Sequence, residues 1–331
     1  MTRLAVALGD PAGIGAEVVL KAVAELQQHQ PSVDLLLVGC RHWLQSSYEQ
    51  LQPRCNAALA NPAELTMLDL PLESSVQPGE GSSRSGAAGF AWLTAASQAV
   101  LKGDCDALVT APIAKHWWHQ AGHHYPGQTE RLAELCGSSD AAMLFTARSP
   151  HSGWRFNTLL ATTHIPLAEV PKRLSPELLQ RRLEQLQQFC QRFQANPTLH
   201  VAGLNPHAGE AGQLGQEEVE WITPLLQRLS REGFNLRGPV PPDTCWMGAA
   251  QAWQGTTAEG AERIDGYLAL YHDQGLIPVK LLGFDQAVNT TLGLPFLRTS
   301  PDHGTGFDRA GEGTARAASM LAAMETALEL G

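Results

Sequence analysis

The sequence predicts an α/β fold on a mainly parallel sheet, and three observations predict it. Short apolar runs alternate with segments of helical period along the chain. The loops between them carry Gly, Pro and Asp, drawn from 31 Gly and 21 Pro. Strand and helix patterns are interleaved rather than grouped by type, and strands joined through helices pair in parallel because the helix carries the chain back across the sheet. At 331 residues the chain is twice an ordinary domain of ~150, which points to two domains.

The elements follow in order. Residues 4–8 form an apolar run that reads as a buried strand. Residues 15–28 read as a helix, with Val18, Val19, Ala22, Val23 and Leu26 along one face. A second strand is expected at 35–38. The Ser/Gly-rich stretch 74–89 reads as a mobile surface loop, running into a helix over 87–101. Strands are expected at 107–110, 141–145, 158–162, 199–202, 267–270 and 279–282. Helices are expected at 129–135, 176–193, 217–229 and 314–330. The helix after Ser175 has the clearest start: Ser175 caps, Pro176 suits the first helical position, and Glu177 favours the positive helix end.

Composition narrows the function. Lys and Arg number 23 against 33 Asp and Glu, a net charge of -10, with no basic tract to hold nucleic acid or an anionic membrane. No apolar run approaches the ~20 residues that span a bilayer. Six scattered cysteines form no close pair, so neither a zinc knuckle nor a disulfide framework is expected. The expectation is a cytoplasmic protein with reduced thiols.

In parallel sheets, ligands gather beyond the carboxyl ends of the strands. Three expected strands run into a histidine there: His164, His207 within Asn205-Pro206-His207, and His272 before Asp273. None has HExxH spacing; each reads equally as a loop-capping residue or as one ligand of a metal site assembled from distant strand ends. Lys280, Asn289 and Arg298 follow among Gly275, Gly283 and Gly293. The two cations read either as surface-reaching side chains or as binders of a phosphate or carboxylate. His303-Gly304-Thr305-Gly306-Phe307-Asp308, with Gly311 and Gly313, suits a nucleotide: its amides allow close approach and a carboxylate accepts ribose hydroxyls. The turn Gly9-Asp10-Pro11-Ala12-Gly13-Ile14-Gly15 lacks GxGxxG spacing and fails as a dinucleotide fingerprint.

Together these segments resemble a family. GDPAGIG (9–15), SGAAGFAWL (85–93), DALVTAPIAK (106–115), GLNPHAGE (203–210), PPDT (241–244), YHDQGL (271–276), VNTTLGLPFLRTS (288–300) and DHGTGFDRAG (302–311) are similar to the 4-hydroxythreonine-4-phosphate dehydrogenases. The last block is also similar to the cofactor loop of isocitrate and isopropylmalate dehydrogenases. The resemblance implies two α/β/α domains, residues 1–128 with 295–331 and residues 129–294, an interdomain active-site cleft, and a homodimer with the site at the subunit interface. It implies NAD-dependent oxidation of 4-phosphooxy-L-threonine to a 3-oxo acid that decarboxylates to 3-amino-2-oxopropyl phosphate, in pyridoxal 5'-phosphate biosynthesis. It places one divalent ion (zinc, magnesium or cobalt) on His164, His207 and His272, one of them from the partner chain. Gln128, Thr129, Lys280, Asn289 and Arg298 bind the phosphorylated substrate, and His303, Gly304, Thr305 and Asp308 bind the cofactor. Asp243 or Lys280 moves the proton, with Asp243 preferred.

Two departures bear on the substrate. The family reads GHTE where this chain has Gly127-Gln128-Thr129-Glu130, and it commonly has a second histidine where this chain has Gln213. Glutamine donates and accepts hydrogen bonds but carries no proton charge near neutrality. The alternatives are a same-fold dehydrogenase for threonate or erythronate 4-phosphate, and a non-redox metal-dependent decarboxylase. Arg309 beside Asp308 favours a 2′-phosphate, while the Asp308 carboxylate repels one and favours NAD.

Overall fold

A computed structural model describes residues 2–258 and 263–331. It divides into two compact units, Met1–Ala141 with Val288–Gly331, and Ala142–Ala287. The resemblance implies joins at 128/129 and 294/295, whereas the units divide at 141/142 and 287/288.

In the first unit the strands are β1 (Arg3–Ala7), β2 (Asp34–Gly39), β3 (Met67–Asp69), β4 (Ala107–Thr110), β10 (Ala287–Leu292) and β11 (Leu297–Pro301). Their order is β3-β2-β1-β4-β11-β10, parallel except that β10 runs antiparallel to β11. Its helices are α1 (Gly15–His29), α2 (Arg41–Leu51), α3 (Ser83–Leu101), α4 (Lys115–Gln120), α5 (Gln128–Cys136) and α11 (Ala318–Leu330). Val18, Val19, Ala22, Val23 and Leu26 are all buried, so the stripe on α1 is its core face.

The second unit holds β5 (Ala142–Arg148), β6 (Arg155–Leu160), β7 (Leu199–Ala202), β8 (Leu236–Val240) and β9 (Gly266–Ala269), in the order β5-β6-β9-β7-β8. Only β5 is antiparallel to its neighbour. Helices α6 (Val170–Arg173), α7 (Pro176–Cys190), α8 (Thr223–Arg231), α9 (Met247–Gln254) and α10 (His272–Gly283) accompany it. Ser175 Oγ accepts from Leu178 N at 3.2 Å, so α7 starts on the expected cap. The mainly parallel α/β architecture is as the sequence predicts.

Two expectations need correction. The run 279–282 is not a strand but the last turns of α10. Val279 is buried and Leu281 is 80% exposed, and a four-residue apolar run does not distinguish the two periods. The stretch 74–89 is not one loop, because α3 begins at Ser83. Ser82 and Ser85 cap it reciprocally, each backbone N–H donating to the other's hydroxyl at 3.0 and 3.2 Å. A Cβ on Gly86 would lie 2.3 Å from Trp117 O, so this glycine marks close packing rather than mobility.

Strands β3, β8, β10 and β11 had no clear apolar signal. Thr290 and Thr299 are fully buried within β10 and β11, so the polar residues that hid these strands lie in the core. All six cysteines are free, and no described helix is long and apolar enough to cross a membrane.

Candidate active site

In the second unit, β6, β9 and β7 are neighbours and parallel, so the residues after them emerge along one edge. His164 and His272 come together there, with ring centres 5.4 Å apart and planes tilted by 44°. His272 Nδ1 lies 2.7 Å from Asp273 Oδ1; donating there, it leaves Nε2 free to face a ligand. Two imidazoles on one tetrahedral ion, with metal–nitrogen bonds of about 2.0–2.1 Å, hold their ring centres about 5.2 Å apart. The pair therefore fits two positions on a single divalent ion.

His207 does not join them. It is exposed, and among the described residues no three or more His, Cys, Asp or Glu side chains are grouped to hold a metal. Residues 207–211 all have left-handed backbone, with φ of 52, 50, 80, 43 and 54°. Only Gly209 adopts this without cost; a residue with Cβ loses roughly 1–2 kcal/mol there. Asp243 is exposed in the turn after β8. Lys280, half-buried, stands eight residues beyond His272 on α10, about 12 Å along the axis. That separation suits a grip on the far end of a substrate better than proton transfer beside the imidazoles.

In the first unit, Arg298 on β11 is 3% exposed. Its Nε and Nη2 donate to Thr110 Oγ1 at 3.1 and 2.7 Å, and Nη1 donates to Thr291 Oγ1 at 3.2 Å. Burial pushes its pKa down to about 10; the Glu130 charge works the other way. Five N–H donors meet two hydroxyls, so a buried cation keeps capacity for an anion. It does not snorkel to the surface. Gln128 opens α5 and donates from Nε2 to Ala111 O at 3.2 Å, while its buried Oε1 has no partner. The buried Oδ1 of Asn289 is likewise unpartnered. Thr129 lies half-buried beside Gln128.

The glycine-rich loop follows β11. Thr305 O accepts from Ile14 N at 2.9 Å, and a Cβ on Gly13 would lie 2.7 Å from the same oxygen. The turn without a dinucleotide fingerprint is thus the backing of this loop. His303 Nδ1 lies 3.0 Å from Gly304 O, and its buried Nε2 has no partner. A Cβ on Gly304 would meet nothing within 4 Å, leaving its backbone open to a ligand. Asp308 is 80% exposed, with Arg309 Nε 3.5 Å from its carboxylate.

Sequence reasoning missed a clamp on the far end of this loop. Lys21 Nζ donates to Glu17 Oε1, Gly313 O and Ala315 O at 2.7, 2.9 and 2.8 Å, and Glu17 accepts from Ala315 N at 2.7 Å. Its signal was a Glu and a Lys four apart amid an apolar helix, a pairing usually read as solvent-facing.

Asp10, 1% exposed, accepts from Ala12 N at 3.0 Å through Oδ1, with the Ser85 hydroxyl beside the carboxylate. Burial raises its carboxyl above the ordinary range. A raised folded pKa contributes stability in acid that is lost as pH rises through that pKa. Asp10→Asn is therefore expected to melt higher than the parent at neutral pH, with the difference closing in acid. Thermal melts across pH check this; a constant difference would refute it.

The architecture is shared with isocitrate dehydrogenase from Methylococcus capsulatus, with a TM-score of 0.51 at 15% identity over 99% of this chain and 85% of that one. Closer relatives fix the class. A 4-hydroxythreonine-4-phosphate dehydrogenase of Synechococcus sp. (strain RCC307) is 71% identical over the whole of both chains. A crystal structure of 4-hydroxythreonine-4-phosphate dehydrogenase from Klebsiella pneumoniae matches with a TM-score of 0.83 at 35% identity, over 100% of this chain and 99% of that one. The chain is a dehydrogenase of the α/β class acting on a CH–OH group. The family model described as "Pyridoxal phosphate biosynthetic protein PdxA" matches residues 14–327. The chain belongs to that family.

Proposed function

We propose that the protein oxidises 4-phosphooxy-L-threonine, with NAD and one divalent ion, to a 3-oxo acid that decarboxylates to 3-amino-2-oxopropyl phosphate in pyridoxal 5'-phosphate biosynthesis, as a cytoplasmic homodimer. The observation that carries it is Arg298, a desolvated cation with donors to spare in an acidic chain. Such a group is costly to bury unless an anion completes it.

The chain's own residues divide the work. Arg298 and Lys280 grip the substrate's phosphate and carboxylate. Thr129, Gln128 and Asn289 orient its donors, the last two through carbonyl oxygens that are unpartnered in the protein. Asp243 accepts the hydroxyl proton. His164 and His272 hold the ion (zinc, magnesium or cobalt), and the partner subunit's His207 completes the set. His303, Gly304, Thr305 and Asp308 hold NAD, with Asp308 set to accept its ribose hydroxyls. When bound, NAD supplies the hydride acceptor and the ion a Lewis acid for the alcohol and the developing carbonyl.

A dimer reading rests on α10 and the residue after it, where Ile277, Leu281 and Phe284 are 58, 80 and 50% exposed at helical spacing. A second copy of this chain covers that stripe. Leu281→Glu is expected to sediment as a monomer and to lose bound metal; a metal-bound dimer would refute the assignment.

The test is a panel of 4-phosphooxy-L-threonine, threonate 4-phosphate and erythronate 4-phosphate with NAD and added metal, followed by NADH absorbance. Turnover of the first supports the proposal. Turnover of only the acids lacking an amine would assign the pocket around Gln128 to them instead. Carbon dioxide release without NAD would establish a lyase, and no reaction at all would refute an enzymatic role on these acids.

A further inference from the structure

The three histidine-bearing loops are tied by a buried chain of hydrogen bonds. Thr162 Oγ1, two residues before His164, donates to Leu270 O at 2.7 Å. Leu270 N, two residues before His272, donates to Gln274 Oε1 at 2.6 Å. Gln274 Nε2 then donates to Gly203 O at 2.7 Å, at the start of the loop that carries His207. Beyond it Glu218 Oε1 accepts from Leu204 N and Asn205 N, both at 2.8 Å, and Oε2 accepts from Asn205 Nδ2 at 2.8 Å. Thr162, Gln274 and Glu218 are 7, 7 and 1% exposed, so water does not substitute for these bonds.

Both functional groups of Gln274 are spent on backbone, one at the end of β9 and one beyond β7. Its amide bonds to backbone rather than to an imidazole, yet it fixes the spacing of the strands from which His272 and His207 depart. The Glu218 carboxylate closes against the left-handed turn, where a Cβ on Gly209 would lie 2.8 Å from Oε2. A turn with four non-glycine residues in that conformation needs its ends held.

We infer that Gln274 is the positioning residue of the metal sites, tying the loop of His272, which serves this chain's own ion, to the loop of His207, which serves the partner subunit's, with Thr162 and Glu218 as the outer links of the same chain. This rests on the reading of His164, His207 and His272 as ligands. Removing groups that orient ligands from outside typically weakens metal binding by roughly 10–100-fold.

The experiment titrates full-length wild type, Gln274→Ala, Thr162→Val and His272→Ala with Co²⁺ alone, following the visible absorption of the bound ion, and melts each variant without metal. Gln274→Ala is expected to bind Co²⁺ roughly 10–100-fold more weakly with an altered spectrum, and the near-isosteric Thr162→Val to weaken it several-fold. His272→Ala is expected to lose binding altogether. Full Co²⁺ affinity in His272→Ala would overturn the ligand reading. Loss in His272→Ala with unchanged affinity and spectrum in the other two would overturn the positioning role alone. Should Gln274→Ala fail to fold, Thr162→Val decides by the same criterion.

Discussion

Arg298→Met is expected to melt higher than the parent and to turn over about a thousandfold less efficiently. The methionine fills a similar volume and carries no charge into a site that is 3% exposed. Replacing buried charge with well-packed apolar groups is neutral or stabilising by about 1–4 kcal/mol. Removing the desolvated cation from a bound anion costs about 4 kcal/mol, which is the thousandfold in kcat/KM. The loss should fall mostly on KM for the phosphorylated acid and little on KM for NAD. Arg298→Lys should not rescue it, because a single ammonium replaces neither the planar fork nor its grip on Thr110 and Thr291. Thermal melts with steady-state kinetics check both halves. A variant less stable than the parent would mean that Arg298 is structural.

His207→Gly is expected to show the same opposition through the backbone. At φ 52° glycine relieves roughly 1 kcal/mol of left-handed strain, so the variant should melt higher in the presence of a chelator. It also removes a proposed ligand, so added metal should raise the melting temperature of the parent and not of the variant. Turnover should fall by roughly a thousandfold or more, since the Lewis acid contributes several kcal/mol to the transition state. His207→Ala should lose metal retention without the relief. Retained metal and normal turnover in either variant would remove His207 from the site.

How far the sequence revealed this protein depended on the kind of residue. Apolar runs gave β1, β2, β4 and β7 because those strands are covered on both faces and hold few polar residues. The residues after β6, β7 and β9 were legible as site candidates because a parallel sheet presents its carboxyl ends together, and the structure does bring His164 beside His272. It does not bring His207 to them. A sequence shows which strand ends carry an imidazole but not which of those imidazoles the fold brings to one point.

Strands β10 and β11 escaped notice because their buried threonines read as loop. Those hydroxyls are what Arg298 uses, so the polar signal that obscured the strands belonged to the site. Gln274 escaped for the opposite reason: its amide is spent on two backbone groups brought near only by strand pairing.

The division of the first unit has a consequence for synthesis. Its N-terminal portion ends at Ala141 and its remainder begins at Val288, so β4 lacks its neighbour β11 until all of Ala142–Ala287 has been made. Helix α11, whose Ala323 O accepts from Thr299 Oγ1 on β11 at 2.8 Å, is made after β11. Domains tend to fold as units as they emerge, so Ala142–Ala287 is placed to mature before the unit that precedes it. Until then the edge of β4 that β11 will cover waits unpaired.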